Sequence, residues 1–226
     1  MKQLDSEKAV VLLSGGQDSV TCLYWSLKRF KQVWALSIDY GQRHKVELAC
    51  AQEIAQLAGV SHRLLNMSLL SELGGNTLTE EGEIEEGDPD KGGLPNTFVP
   101  GRNLMFLTAL AAWAYQLGAK NLVTGVCQTD FSGYPDCREN TMISLQESLR
   151  LGMEADFEIL TPLMHLTKAE SVHLAKQCDA MDALSLSHTC YEGQQPPCGR
   201  CPSCDLRAKG FAQAGIEDPL ILRWKS

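Results

Sequence analysis

The sequence predicts an α/β fold, a doubly wound and mostly parallel sheet with a small cysteine-bearing region at its C-terminal end. Three observations carry that prediction. Short apolar runs alternate with helical segments, which demands crossover connections. The first run, residues 9–13, is apolar at every position, as in a strand covered on both faces. Segments rich in Gly, Ser, Asp and Arg follow the apolar runs, where the ligands of such sheets bind.

In chain order, residues 9–13 form the first strand, and a Ser-Gly-Gly turn leads into a helix from about Asp18 to Lys28. Residues 33–38 read as a second buried strand and 46–58 as a second helix ending at Gly59. Residues 62–65 are a third strand, 104–117 a third helix closed by Gly118, and 121–126 a fourth strand. Residues 74–96 differ in character, with seven acidic residues against Lys91 alone, several glycines, Pro89 and Pro95. That composition is a solvated surface loop, with a lid over the site as the alternative. The chain divides into 1–180, which carries the alternating segments, and 181–226, organised by cysteines and packed on the first part.

The 226 residues carry a formal charge of -8, which opposes general affinity for nucleic acid or an anionic membrane. The N-terminus reads as lacking an export signal, since the apolar run 9–13 is too short for one. The apolar stretch 104–117 contains Thr108 and Gln116 and reads as a buried helix. Nine cysteines without an export signal point to metal or catalysis in the cytoplasm.

Ser14-Gly15-Gly16-Gln17-Asp18-Ser19 follows the first strand and opens the first helix. Glycines let the backbone approach a phosphate, and the helix N-terminus and the Ser14 and Ser19 hydroxyls favour an anion. Asp18 cannot attract phosphate by its own charge; its role is to hold a bridging Mg²⁺. The segment lacks the Lys of a Walker A loop and the third glycine of a dinucleotide fingerprint. It resembles the PP-loop of the N-type ATP pyrophosphatases, a group that includes GMP, NAD and argininosuccinate synthetases and tRNA-thiolating enzymes. The resemblance implies cleavage of ATP between its α- and β-phosphates, with adenylation of a substrate oxygen. It also implies nucleotide contacts over Leu13, Ser14, Gly15, Gly16, Gln17, Asp18, Ser19, Val20, Thr21, Cys22 and Leu23, with Asp39 at the end of the second strand.

Cys190, Cys198, Cys201 and Cys204 are spaced C-x7-C-x2-C-x2-C, with Gly199 permitting a tight knuckle. Four thiolates so placed suit a closed, structural Zn²⁺ site. An iron–sulfur cluster on three of them and free redox-active thiols are the competing readings. Cys22, Cys50, Cys127 and Cys178 read as small buried apolar residues, whereas Cys137 lies within the last of the loop motifs.

The segments 98–103 and 125–138 bring aromatics, carboxylates and arginines to the expected ligand edge. Arg102 and Arg138 suit a substrate carboxylate or a phosphate. Asp130 and Asp136 suit the donors of a guanine-like ring, Phe131 and Tyr134 could stack on it, and Asn103 belongs to the same wall. Together with 39–44, Thr161-Pro162-Leu163, Lys168 and the cysteine knuckle, these segments resemble the 7-cyano-7-deazaguanine synthases of queuosine biosynthesis, from residue 13 to about 207. That resemblance implies conversion of 7-carboxy-7-deazaguanine and ammonium to the nitrile with ATP, Mg²⁺ and one structural zinc per chain. It implies catalytic roles for Asp18, Ser19 and Lys168. A homodimer is expected, with 104–117 a candidate face. The competing functions are a PP-loop tRNA sulfur transferase and a zinc-dependent module that only senses nucleotide.

Overall fold

The computed structural model describes residues 6–43, 45–80, 82, 93–128 and 133–225. Among these, the strands β1 (Lys8–Leu12), β2 (Gln32–Asp39), β3 (Ser61–Asn66), β4 (Asn121–Val123) and β5 (Glu158–Leu160) form a five-stranded sheet. Its order is β3-β2-β1-β4-β5 and all four pairings are parallel. The expected doubly wound architecture is therefore present. The connecting helices are α1 (Gln17–Leu27), α2 (Val46–Leu57), α3 (Leu69–Leu73), α4 (Arg102–Leu117) and α5 (Glu139–Met153). They are followed by α6 (Lys168–Gln177), α7 (Met181–Leu186), α8 (Pro202–Ala214) and α9 (Pro219–Lys225).

The central position of β1 explains its composition. With β2 on one side and β4 on the other, Ala9, Val10 and Val11 are fully buried, and alternate side chains serve opposite faces. Ala9 and Val11 join one core with Val20 and Leu23 of α1, Ile54 of α2 and Val172 of α6. Val10 joins the other core, with Leu107 and Leu110 of α4 and Met142 and Leu149 of α5. The first core runs on without a break past residue 180, through Leu184 of α7 and Phe211 of α8. The apolar stripe of α4, including Phe106, Leu107, Leu110 and Ala114, is spent on this chain's own sheet. Among the described residues no helix is long and apolar enough to cross a membrane.

Strand order reverses between β1 and β4, which opens a crevice at their carboxyl ends. Two boundaries differ from the sequence reading by two residues or more, both at this crevice. β4 stops at Val123 rather than 126, because Gly125 leaves the sheet to lie against the start of α1. α4 begins at Arg102 rather than 104, after Gly101 in the left-handed conformation (φ 73°), so Arg102 and Asn103 stand at the helix mouth.

Candidate functional site

A cavity of about 340 Å³ occupies the β1–β4 crevice. The loop between β1 and α1 forms its floor. Gly15 has φ +87°, and a Cβ there would come within 2.2 Å of the Glu47 carbonyl oxygen, so only glycine fits. The Ser19 hydroxyl donates to the Gly16 carbonyl at 2.9 Å and accepts from the Ser14 amide at 3.1 Å, while the Gly16 amide donates to Ser14 Oγ at 3.3 Å. The loop is thus closed on itself as a small nest of donors. Gly125 seals its far side: a Cβ there would lie 3.0 Å from Asp18 C and 3.1 Å from the Ser19 amide nitrogen.

Lys168, the first residue of α6, reaches across to Asp18, with Nζ 2.7 and 2.9 Å from the two carboxylate oxygens. Both line the cavity. Gln17 lines it too. Its side chain is 2% exposed, and neither amide atom has a partner among the described residues. A buried amide with no protein partner is a ready receptor for ligand. The side chains of Leu13, Val20, Cys22 and Leu23 are spent in the core, and Thr21 donates to the Gln17 carbonyl. Asp39 stands at the end of β2, where the Lys45 ammonium holds its carboxyl below the usual range.

The opposite wall is aromatic and cationic. Arg102 lies over the Tyr40 ring at 5.7 Å from its centroid, and Asn103, Phe106 and Tyr134 are beside it. Tyr134 is fixed by a 2.6 Å bond to Thr97 Oγ1 and by Phe98, whose ring centroid is 5.5 Å away. Asp136 is buried behind this wall and accepts from the Asn103 amide at 3.0 Å, so its carboxylate serves the N-terminus of α4. Arg138 is exposed and donates to the Gly133 carbonyl. Asp130 and Phe131, like His44, lie outside the described residues.

Gln42 and Arg43 of the 39–44 segment line the cavity, and so do three residues that were not singled out from the sequence, Glu47, Thr189 and Tyr191. Burial pushes the Tyr40, Tyr134 and Tyr191 phenols up, so they act as neutral walls. Burial likewise pushes the Glu47 carboxyl up to about 7, against the Gln42 hydrogen bond and the Arg102 charge.

The four knuckle cysteines have their sulfurs within 4.8 Å of one another. Tetrahedral thiolate ligation at about 2.3 Å puts sulfurs roughly 3.8 Å apart, and Cys198 Sγ lies 3.9 Å from Cys204 Sγ. Backbone amides of Cys198 and Cys201 each point at a knuckle sulfur at 3.4 Å, which suits anionic sulfur. The donor set therefore fits a metal ion. The strand of chain leading into it also builds the cavity, since the His188 amide donates to the Gly15 carbonyl at 2.9 Å and Thr189 and Tyr191 line the wall.

The profile of the family described as "Queuosine biosynthesis protein QueC" matches residues 8–215. The chain belongs to this family. A 7-cyano-7-deazaguanine synthase of Chromobacterium violaceum is 60% identical over 226 residues, covering 99% of this chain and 97% of its own. One from Laribacter hongkongensis is 58% identical over 220 residues, covering 97% and 96%. Among solved structures, the U34-tRNA thiolase NcsA of Methanococcus maripaludis aligns with a TM-score of 0.50 at 15% identity, covering 99% of this chain and 72% of that one. At that identity the likeness is one of fold. The QueC-family match covers both the phosphate loop and the cysteine knuckle.

Proposed function

We propose that this QueC-family chain converts 7-carboxy-7-deazaguanine and ammonium to 7-cyano-7-deazaguanine, as a ligase that consumes ATP and releases AMP and pyrophosphate. The observation that carries this is the single cavity shared by a phosphate loop and an aromatic wall bearing Arg102. A carboxylate is a poor acyl donor because oxide would have to leave. Attack of its oxygen on the α-phosphate turns that oxygen into part of AMP, which leaves readily. Ammonia then gives the amide, and adenylation of the amide oxygen prepares its departure to form the nitrile.

Each residue has a place in this scheme. The donors of Ser14 to Ser19 receive the leaving pyrophosphate, and Lys168 neutralises charge on phosphate as the ion pair with Asp18 is exchanged. Asp18 would hold Mg²⁺, which neutralises the phosphates when bound. Arg102 offers a forked guanidinium to the substrate carboxylate, with the flat ring against Tyr40, Phe106 and Tyr134. These effects are positioning and electrostatics. The names of the 58–60% identical relatives favour this reading over tRNA sulfur transfer. We further place the enzyme in the cytoplasm as a homodimer.

Product analysis tests the function. The chain with 7-carboxy-7-deazaguanine, Mg²⁺-ATP and ammonium should yield the nitrile, AMP and pyrophosphate; ADP and orthophosphate as primary products would reject it. Zinc is the proposed metal of the knuckle, because a closed four-thiolate set leaves no reactive position. Purified protein should contain about one zinc per chain and no iron–sulfur absorption. Cys201→Ser should lose the metal and lower the melting temperature. A metal-free variant that kept its stability would show that the knuckle does not depend on an ion.

A further inference from the structure

We propose that Glu47 is the general base of the nitrogen-transfer steps, its carboxylate taking a proton from the incoming nitrogen as the carbon–nitrogen bond forms. The proposal rests on the reaction proposed above. Ammonium has no lone pair until it loses a proton, and the adduct of ammonia with the acyl adenylate must lose another. In the amide-forming step the nitrogen–carbon bond forms, the bond from carbon to the AMP oxygen breaks, and the excess proton passes from nitrogen to the carboxylate. In the nitrile-forming step AMP leaves with the amide oxygen and the last N–H proton must again be accepted.

Among the described residues, the carboxylates that line the cavity are Asp18 and Glu47. Asp18 is held by Lys168 on both oxygens and belongs with the phosphates. Lys168, Arg102 and Arg43 are donors and cannot take the proton. Glu47 sits in the first turn of α2, and its backbone carbonyl abuts Gly15, so its position relative to the phosphate loop is fixed. Its side chain is fixed as well: Gln42 Nε2 donates to Oε1 at 3.1 Å, and Gln42 Oε1 is itself anchored by the Tyr40 amide at 2.9 Å. The ionisable groups around it are Arg102 of α4, Tyr40 at the end of β2 and Cys50 of α2. Burial is the largest influence on it and brings its titration to about 7, where a base working near neutrality is most effective.

Glu47→Gln is the test, because the amide keeps the shape and removes the base. Adenylation of the acid needs no base, so acid-dependent ATP–pyrophosphate exchange should persist in the variant. Amide and nitrile formation should fall by ~10²–10⁴-fold. At a fixed concentration of free ammonia, kcat of the natural enzyme should rise with pH through about 7, since the active form is the deprotonated one, and the variant should lack that limb. Raising ammonium and pH together should partly restore it by supplying free ammonia. Equal loss of exchange and amide formation would make Glu47 a support of the fold or nucleotide site, and unchanged amide formation would remove it from the reaction. Either result overturns the proposal. Failure of the natural enzyme to make nitrile at all would instead refute the parent reading.

Discussion

Arg207→Ala should loosen the C-terminal region from residue 184 onward, and with it the cavity wall that residues 188–191 supply. Arg207 is 4% exposed and forms a two-pronged pair with Asp218, through Nε at 2.7 Å and a terminal nitrogen at 2.8 Å. The same guanidinium donates to Ser187 Oγ at 2.8 Å and to the Leu184 carbonyl at 3.2 Å, and it lies against the Phe211 ring. It therefore joins the end of α7, the middle of α8 and the start of α9, where Asp218 also accepts from the Leu220 amide. Truncation leaves the nearly buried Asp218 carboxylate without its opposite charge, with the Leu220 amide as its remaining donor, while the Leu184 carbonyl keeps the Ser187 amide and hydroxyl. Breaking a buried pair from one side costs about 3–5 kcal/mol, a large share of a typical domain's roughly 5–15 kcal/mol. Denaturant melts should show that loss, and limited proteolysis should cut first after residue 184. Replacing both partners, Arg207→Met with Asp218→Leu, should recover part of it. If the single variant lost less than about 1 kcal/mol, water would be reaching the pair and its burial would not matter.

What could be read from the sequence follows from where physical signals are local. The β1 run, the Gly15-Gly16 turn and the cysteine spacing each act within a few residues, and each stands where it was expected. The helices after residue 138 were legible but unread: Met142, Leu145, Leu149 and Met153 make a helical stripe, and Thr167 with Glu170 is a capping box that the structure contains. β5 was not legible, because three residues, Glu158 to Leu160, carry no periodicity and gain their meaning only beside β4. The same distinction explains Asp136. A carboxylate in a motif-rich loop suggests a ligand, but a helix N-terminus brought from 33 residues away now takes one of its oxygens. Glu47 was hidden for the opposite reason. An acidic residue in the first turn of α2 reads as ordinary helix chemistry until Gly15 and Arg102 are packed around it.

Lys168→Met should cut the rate of adenylation by about 10²–10³-fold, the usual effect of removing one preorganised donor from a developing negative charge. The fold should survive, because methionine keeps the buried stem and Asp18, whose side chain is 27% exposed, can be hydrated when its partner goes. Thr167 caps α6 through the Glu170 amide, so the helix that carries residue 168 starts in the same place in the variant. Single-turnover pyrophosphate release would measure the loss, and calorimetric titration with Mg²⁺-ATP would separate it from weaker binding. A second substitution makes the test independent of charge. Gly210 of α8 faces the lysine stem so closely that a Cβ would lie 2.6 Å from Lys168 Cγ. Gly210→Ala should therefore push the ammonium out of register and slow adenylation, though less than Lys168→Met does. In the Lys168→Met background it should add no further loss of rate, since the group it displaces is already absent. Additive losses would mean that Gly210 acts on the site by another route. A Lys168→Met enzyme of normal rate would leave pyrophosphate departure to the amides and hydroxyls of Ser14 to Ser19 alone.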